Sequence, residues 1–163
     1  MQTLTQVSNE HRERLMAHVE ALPRLADQIG QVPGAALRER LAEEHDFLVG
    51  TLLPHMEAVE HAVYPELDRV LSCRLAMAPM EREHKEIRRL VAQLGVLRAR
   101  FPEGGPGEGD SVELNRVLLR LFAILKVHLR EESLYVPILE HNLDPEHADA
   151  LVLAMDHAAR AEL

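Results

Sequence analysis

LNRVLLRLFAILKVHLREESLYVPIL, residues 114–139, decides the fold. Leu114, Leu118, Leu121, Leu125, His128, Glu132, Tyr135 and Leu139 recur three and four apart, the spacing that lines one face of an α-helix. That apolar seam runs straight through a histidine and a glutamate. His128 and Glu132 stand at i and i+4, so both side chains present to one point, and Glu131 at i+3 is an alternative.

Working outward, FPEGGPGEGD at 101–110 is a flexible loop, residues 30–34 (GQVPG) are a second break, and residues 72–78 a weaker third. Pro79 followed by Glu81 and Glu83 reads as a helix start. Between the breaks lie Ala, Leu, Glu and Arg, the better helix formers. The pattern predicts helix A over about 8–30, B over about 35–71, C over about 79–100, D over about 112–141 and a short terminal helix E. Short A–B and B–C linkers favour antiparallel neighbours. The expectation is an all-α, up-down-up-down four-helix bundle in a single domain spanning 1–163. Pro23, Pro54, Pro65 and Pro137 fall inside these helices and should kink or loosen them. A weak internal repeat pairs residues 52–65 (LLPHMEAVEHAVYP) with 125–137 (LKVHLREESLYVP), suggesting that hairpins A–B and C–D face each other across a pseudo-twofold.

Composition narrows the function. The 163 residues carry 18 basic and 27 acidic side chains, a net charge of −9, which argues against a phosphate-tracking nucleic-acid binder. No run of eighteen apolar residues offers a membrane span. The start, MQTLTQVSNEHRERL, has no signal-peptide apolar region, and the one cysteine, Cys73, fits a reducing compartment, so a cytoplasmic location is expected. The imbalance lies in ten histidines against two Tyr, three Phe and no Trp.

The histidines fall on seams. Helix A reads His11, Leu15, His18, Leu22; helix B reads Leu41, His45, Leu48, Leu52, His55, Val59; helix C reads Met80, His84, Ile87, Val91. A single inward histidine is more often a core residue than a ligand. One on every helix, plus a carboxylate, is different: each unpartnered buried polar group costs on the order of 1–3 kcal/mol, and one metal site would satisfy them together. Imidazole and carboxylate donors suit iron, zinc, copper or manganese. Antiparallel pairing sets the early turns of A and C beside the late turns of B and D, so His18, His55, His84, His128 and Glu132 are expected to converge. His45 lies about 15 Å along the axis from His55 and reads as a supporting or core residue, with His11, two turns before His18, a weaker outside candidate. His61, His141, His147 and His157 lie off the seams or near the terminus, where solvent exposure is expected. Tyr135, one turn from Glu132, is a candidate proton donor or a rim residue.

With these residues in place, LLPHMEAVEHAVYP, MEREHKEIRRL and VHLREESLYVP resemble the helix B, C and D signatures of the hemerythrin-like, or HHE cation-binding, family. The resemblance covers roughly 10–141. It implies a four-helix bundle with a non-haem di-iron centre that binds dioxygen, nitric oxide or peroxide. It places His18, His55, His84 and His128 with Glu132 as ligands. The family's bridging glutamate, four residues after His55, is here Val59; Glu60 is adjacent but rotated by about 100°, and becomes a ligand only if Pro54 and Pro65 twist it inward. The spacing from His128 to Pro137 is one residue short of the family habit. The implied cofactor is therefore a di-iron centre, with a weakened second site unless Glu60 enters. Reversible binding, sensing and detoxification of a small oxidant all fit such a site, as does peroxide- or nitric-oxide-consuming activity. The alternative is a metal-free helical scaffold or regulator. Partner proteins and oligomeric state leave no mark in the sequence.

Overall fold

The computed structural model describes residues 3–102 and 104–160, with side chains through residue 154. All regular structure among them is helical: α1 (Leu4–Val19), α2 (Ala21–Gln28), α3 (Gly34–Phe47), a π-helical turn (Leu48–Leu52), α4 (Leu53–Ala62), α5 (Tyr64–Val70), α6 (Ala78–Arg100), α7 (Glu108–Asn142) and α8 (Pro145–Arg160). The sequence segments A, B, C and D correspond to α1–α2, α3–α5, α6 and α7. Segment A begins at Leu4, earlier than expected, because Thr3 and Gln6 close a reciprocal capping box at its start. Segment E is sixteen residues long rather than short.

Prolines accompany the breaks in A and B, whereas C carries its proline in the first turn and D stays whole around an internal one. A helical proline removes an N–H and collides with the preceding turn. Pro23 follows the break at Glu20, and Pro65 follows the break at Val63. Ahead of Pro54, the backbone widens into the π turn, and the Leu53 N–H reaches back to the Leu48 carbonyl. Pro79 opens α6 in its first turn, where no intrahelical N–H is needed. Pro137 lies inside α7, which continues unbroken around it.

Segment D packs against A and C, segment B packs against A and C, and α8 lies over α4 and α1. Contacts from Glu140 to the Thr5 amide (2.9 Å) and from Lys126 to Glu20 (3.1 Å) run A and D antiparallel. Gln93 with Glu113 (2.8 Å) and His128 with Glu83 (2.8 Å) do the same for C and D. Among the described residues the core falls into two apolar blocks. One contains Leu15, Leu22, Leu41, Leu52, Met56, Ile87, Leu94, Leu118 and Leu125. The other contains Leu4, Val7, Val59, Val63, Tyr64, Met80, Val136, Leu139 and Leu151, the last from α8. Between the blocks, one polar layer crosses the bundle. No helix among the described residues is long and apolar enough to cross a membrane.

Candidate metal centre

The layer consists of His11, His55, His84, His128 and Glu132, all buried. Each is flanked by apolar neighbours at helical spacing: His11 by Val7 and Leu15, His55 by Leu52 and Val59, His84 by Met80 and Ile87, and the His128–Glu132 pair by Leu125 and Val136. The same seams that fold the bundle therefore deliver the imidazoles to one level.

His84 and His128 form the tightest part. The His84 Nδ1–H donates to Glu60 Oε1 at 2.7 Å, and the His128 Nδ1–H donates to Glu83 Oε2 at 2.8 Å. In the neutral rings, those bonds leave the Nε2 lone pairs free. The two Nε2 atoms then face each other at 2.9 Å. Two lone pairs at that separation repel unless a proton or a cation lies between them. The distance suits two nitrogens on neighbouring positions of one metal ion, whose metal–nitrogen bonds are about 2.0–2.1 Å. Imidazoles with their outer nitrogen on a carboxylate are the usual state of metal-ligating histidines. Burial, and then the proximity of His128, lowers the His84 pKa to about 4, so the ring is neutral at pH 7. The Tyr64 hydroxyl lies 3.2 Å from His84 Nε2 and donates to it. Burial, followed by Glu132, Glu60 and Glu83, raises the Tyr64 pKa and keeps it a phenol in this setting.

The other half of the layer is looser. The His11 and His55 rings lie 4.3 Å apart, tilted by 34°. Glu132 Oε1 is 3.5 Å from His55 Nε2, which makes Glu132 the carboxylate between the two halves. Burial opposes its ionisation, yet His55, His128 and His84 outweigh that and hold its pKa down to about 2. The Arg14 guanidinium donates to His11 Nδ1 at 3.3 Å, and His11 Nε2 is buried without a hydrogen-bond partner among the described residues. Burial, then His55 and Arg14, lowers the His11 pKa to about 4. A surface cleft of about 400 Å³ lined by His11, Arg14, Leu15, Ala17, His18, Phe47 and Thr51 reaches this half from outside.

Among the described residues, no three His, Cys, Asp or Glu side chains meet closely enough to hold a metal ion as they stand. The pairs His84–His128 and His55–Glu132 are close within themselves, and a cation would have to draw them together.

The structure sets His84 beside His128 and His55 beside Glu132, and it holds two further residues expected with them away from the layer. His18 lies two turns beyond His11, about 10 Å along the axis, and the contacts of Thr5 with Glu140 and Glu20 with Lys126 fix A against D at a height that leaves it above the layer. Its ring stacks on Phe47 at 3.5 Å, its Nδ1 meets Glu44 Oε2 at 3.1 Å, and it is half-exposed. His11 holds the inward position instead. Glu60 stays on the outer side, with one oxygen accepting from His84 and both accepting from Arg88 at 2.9 and 3.0 Å. It therefore orients His84 and does not reach the inner face. Glu131, the alternative to Glu132, lines an outer groove with Arg12, Lys126 and Arg130. Val59 is buried on the apolar side of the layer. Glu44, not His45, takes the buried seam position on α3, and the His45 ring sits against Gly95 of α6. His61, His141 and His147 are exposed, whereas the His157 side chain lies outside the described residues.

Two contributors escaped the sequence reading. Glu83 precedes His84, and its role appears only once C and D are antiparallel. Tyr64 stands nine residues after His55, which on an unbroken helix places it half a turn away, at about 100° per residue. The break at Val63 redirects it inward, and Pro65 was the available signal.

No curated protein and no solved structure gives a significant match to the chain. A family model does, over residues 3–139, and its description is the Hemerythrin HHE cation binding domain. That span contains every member of the polar layer. The bundle, the layer and the match agree: the chain belongs to the hemerythrin HHE cation-binding domain family.

Proposed function

We propose that this protein is a non-haem iron protein that binds, senses or detoxifies a small oxidant or diatomic: dioxygen, nitric oxide or peroxide. The observation that carries the reading is the pair of opposed Nε2 atoms of His84 and His128, 2.9 Å apart, each backed by a carboxylate on its outer nitrogen. Nitrogen and carboxylate donors without thiolate suit iron. His84 and His128 would hold one ion with Glu132; His55 and His11 would hold a second more weakly. Iron, when bound, supplies the redox-active centre that a small oxidant or diatomic needs. The chain's own residues supply the rest. The two apolar blocks keep bulk water from the layer. The cleft at His11 admits a small molecule, and the exposed Arg14 places a positive charge beside His11 on its lining.

The decisive measurement is metal stoichiometry per chain after anaerobic ferrous reconstitution, with optical spectra before and after dioxygen, nitric oxide or peroxide. At least one iron per chain and a ligand-dependent spectral change are expected. Well under one equivalent of any transition metal after reconstitution would sink the reading and leave a metal-free helical scaffold. A one-iron form is favoured over a full pair by Val59, an apolar side chain where a second bridging carboxylate would stand.

A further inference from the structure

We propose that Tyr64 supplies an oxygen ligand to ferric iron held by His84 and His128, taking over the charge-balancing task that the apolar Val59 leaves undone. The inference rests on the reading of the layer as an iron site. Three observations lead to it. The Tyr64 hydroxyl lies 3.2 Å from His84 Nε2, the atom that itself faces His128 Nε2 at 2.9 Å. Three potential donor atoms thus crowd one small volume, and Tyr64 provides the oxygen among them. The phenol is buried, and its ring lies 5.4 Å from the His84 ring in a stacked arrangement. It is therefore not a rim residue that only borders the site. Finally, Glu60, which could have supplied a second carboxylate, is held outside by Arg88 and by His84 Nδ1.

The chemistry is a ligand exchange. In the metal-free protein, the phenol O–H donates to His84 Nε2. When a ferric ion takes that lone pair, the proton loses its acceptor; the O–H bond breaks, an Fe–O bond forms, and one proton leaves to solvent. No electron is transferred. Ferric iron is a hard cation that prefers an anionic oxygen, and two imidazoles with one carboxylate leave its charge poorly balanced.

Tyrosinate bound to ferric iron gives a visible charge-transfer band whose excitation enhances tyrosine ring modes in the Raman spectrum. The chain has only two tyrosines, Tyr64 and Tyr135, so the assignment needs two variants. Full-length protein is loaded anaerobically with ferrous iron and oxidised in air, and iron content and visible and resonance Raman spectra are recorded on the same samples. Wild type and Tyr135→Phe are expected to show the band and the ring modes, and Tyr64→Phe to lose both at saturating iron. Tyr64→Phe should also bind iron about tenfold more weakly. Iron-loaded wild type without tyrosine modes, or Tyr64→Phe that keeps them, overturns the proposal and leaves the iron site intact. Wild type that takes up no iron overturns the reading of the site itself, which is a separate result. Should Tyr64→Phe fail to fold, the ring modes of Tyr135→Phe still decide the matter, because Tyr64 is then the chain's remaining tyrosine.

Discussion

The two hairpins of the bundle carry matching histidines on unequal supports. In the C–D half, two unbroken helices of 23 and 35 residues hold His84 and His128, and each outer nitrogen is anchored by a carboxylate. In the A–B half, α1 ends at Val19, segment B passes through a π turn and a break, and His11 faces an arginine where its counterparts face glutamates. A carboxylate on the outer nitrogen fixes ring orientation and raises the basicity of the ligating one. A guanidinium does the opposite. The repeat in the sequence thus carries two clusters of the same outline, with the carboxylate-anchored imidazoles concentrated in one of them.

The comparison can be broken most directly at its strong side. His128→Ala should weaken binding of the tightest iron by more than the roughly 10–100-fold typical of losing an outer partner, whereas His11→Ala should leave that iron in place. Both proteins should remain helical, since leucine, isoleucine and valine fill the rest of each seam. Iron titrations beside circular dichroism test this; equal losses in the two variants would make the halves equivalent. Next comes the anchor. Glu83→Gln keeps the shape but not the charge behind His128, and should lower iron affinity by about 10–100-fold, read in the same titration.

Val59→Glu sharpens the comparison from the weak side. Burying an unpaired carboxylate should destabilise the metal-free protein by about 1–3 kcal/mol, seen in urea unfolding, while raising iron occupancy toward a second equivalent. A stability loss without extra iron would show that the A–B half lacks more than a bridge.

The smallest effect is expected away from the layer. Burial raises the pKa of Glu44, against the pull of its His18 contact, and its Oε1 has no partner among the described residues. A carboxyl whose folded pKa exceeds its unfolded one contributes stability below the unfolded value and loses it as pH rises through the folded value. Glu44→Gln should therefore raise the melting temperature slightly at pH 7, with the gain vanishing toward pH 4, and should leave iron content unchanged. A drop in iron content would tie the His18–Glu44 pair to the centre.

Much of this was legible in the residues. The seam of segment D fixes helix, face and the His128–Glu132 pair at once, because thirty-five residues run without interruption. His55 and His84 follow from the same periodicity. Segment A misled because periodicity gives a face and not a height: His11 and His18 share a seam, and the packing of A on D, through Thr5 with Glu140 and Glu20 with Lys126, sets His11 rather than His18 beside His55. Glu60 and Tyr64 turn on breaks in segment B. An ideal helix puts neither at the inner face, and only the redirection at Val63 brings Tyr64 there while Glu60 stays behind His84. Proline positions warn of such redirections without giving their angle.

The polar layer also bears on how the chain comes apart. With no cation bridging it, the layer is a seam of weak cohesion between two separately packed blocks, and regions of differing local stability open as separate units. In the metal-free protein, amides of segment B near the layer, between the π turn and the break at Val63, should exchange with solvent sooner than those of α6 and α7, which span it unbroken. A cation joining His55, His84, His128 and Glu132 would fasten the blocks to one another, and by mass action it stabilises only the chain that is whole. Iron supply would then set the cooperativity of unfolding, merging two opening events into one and lengthening the protein's survival against proteases when the metal is plentiful.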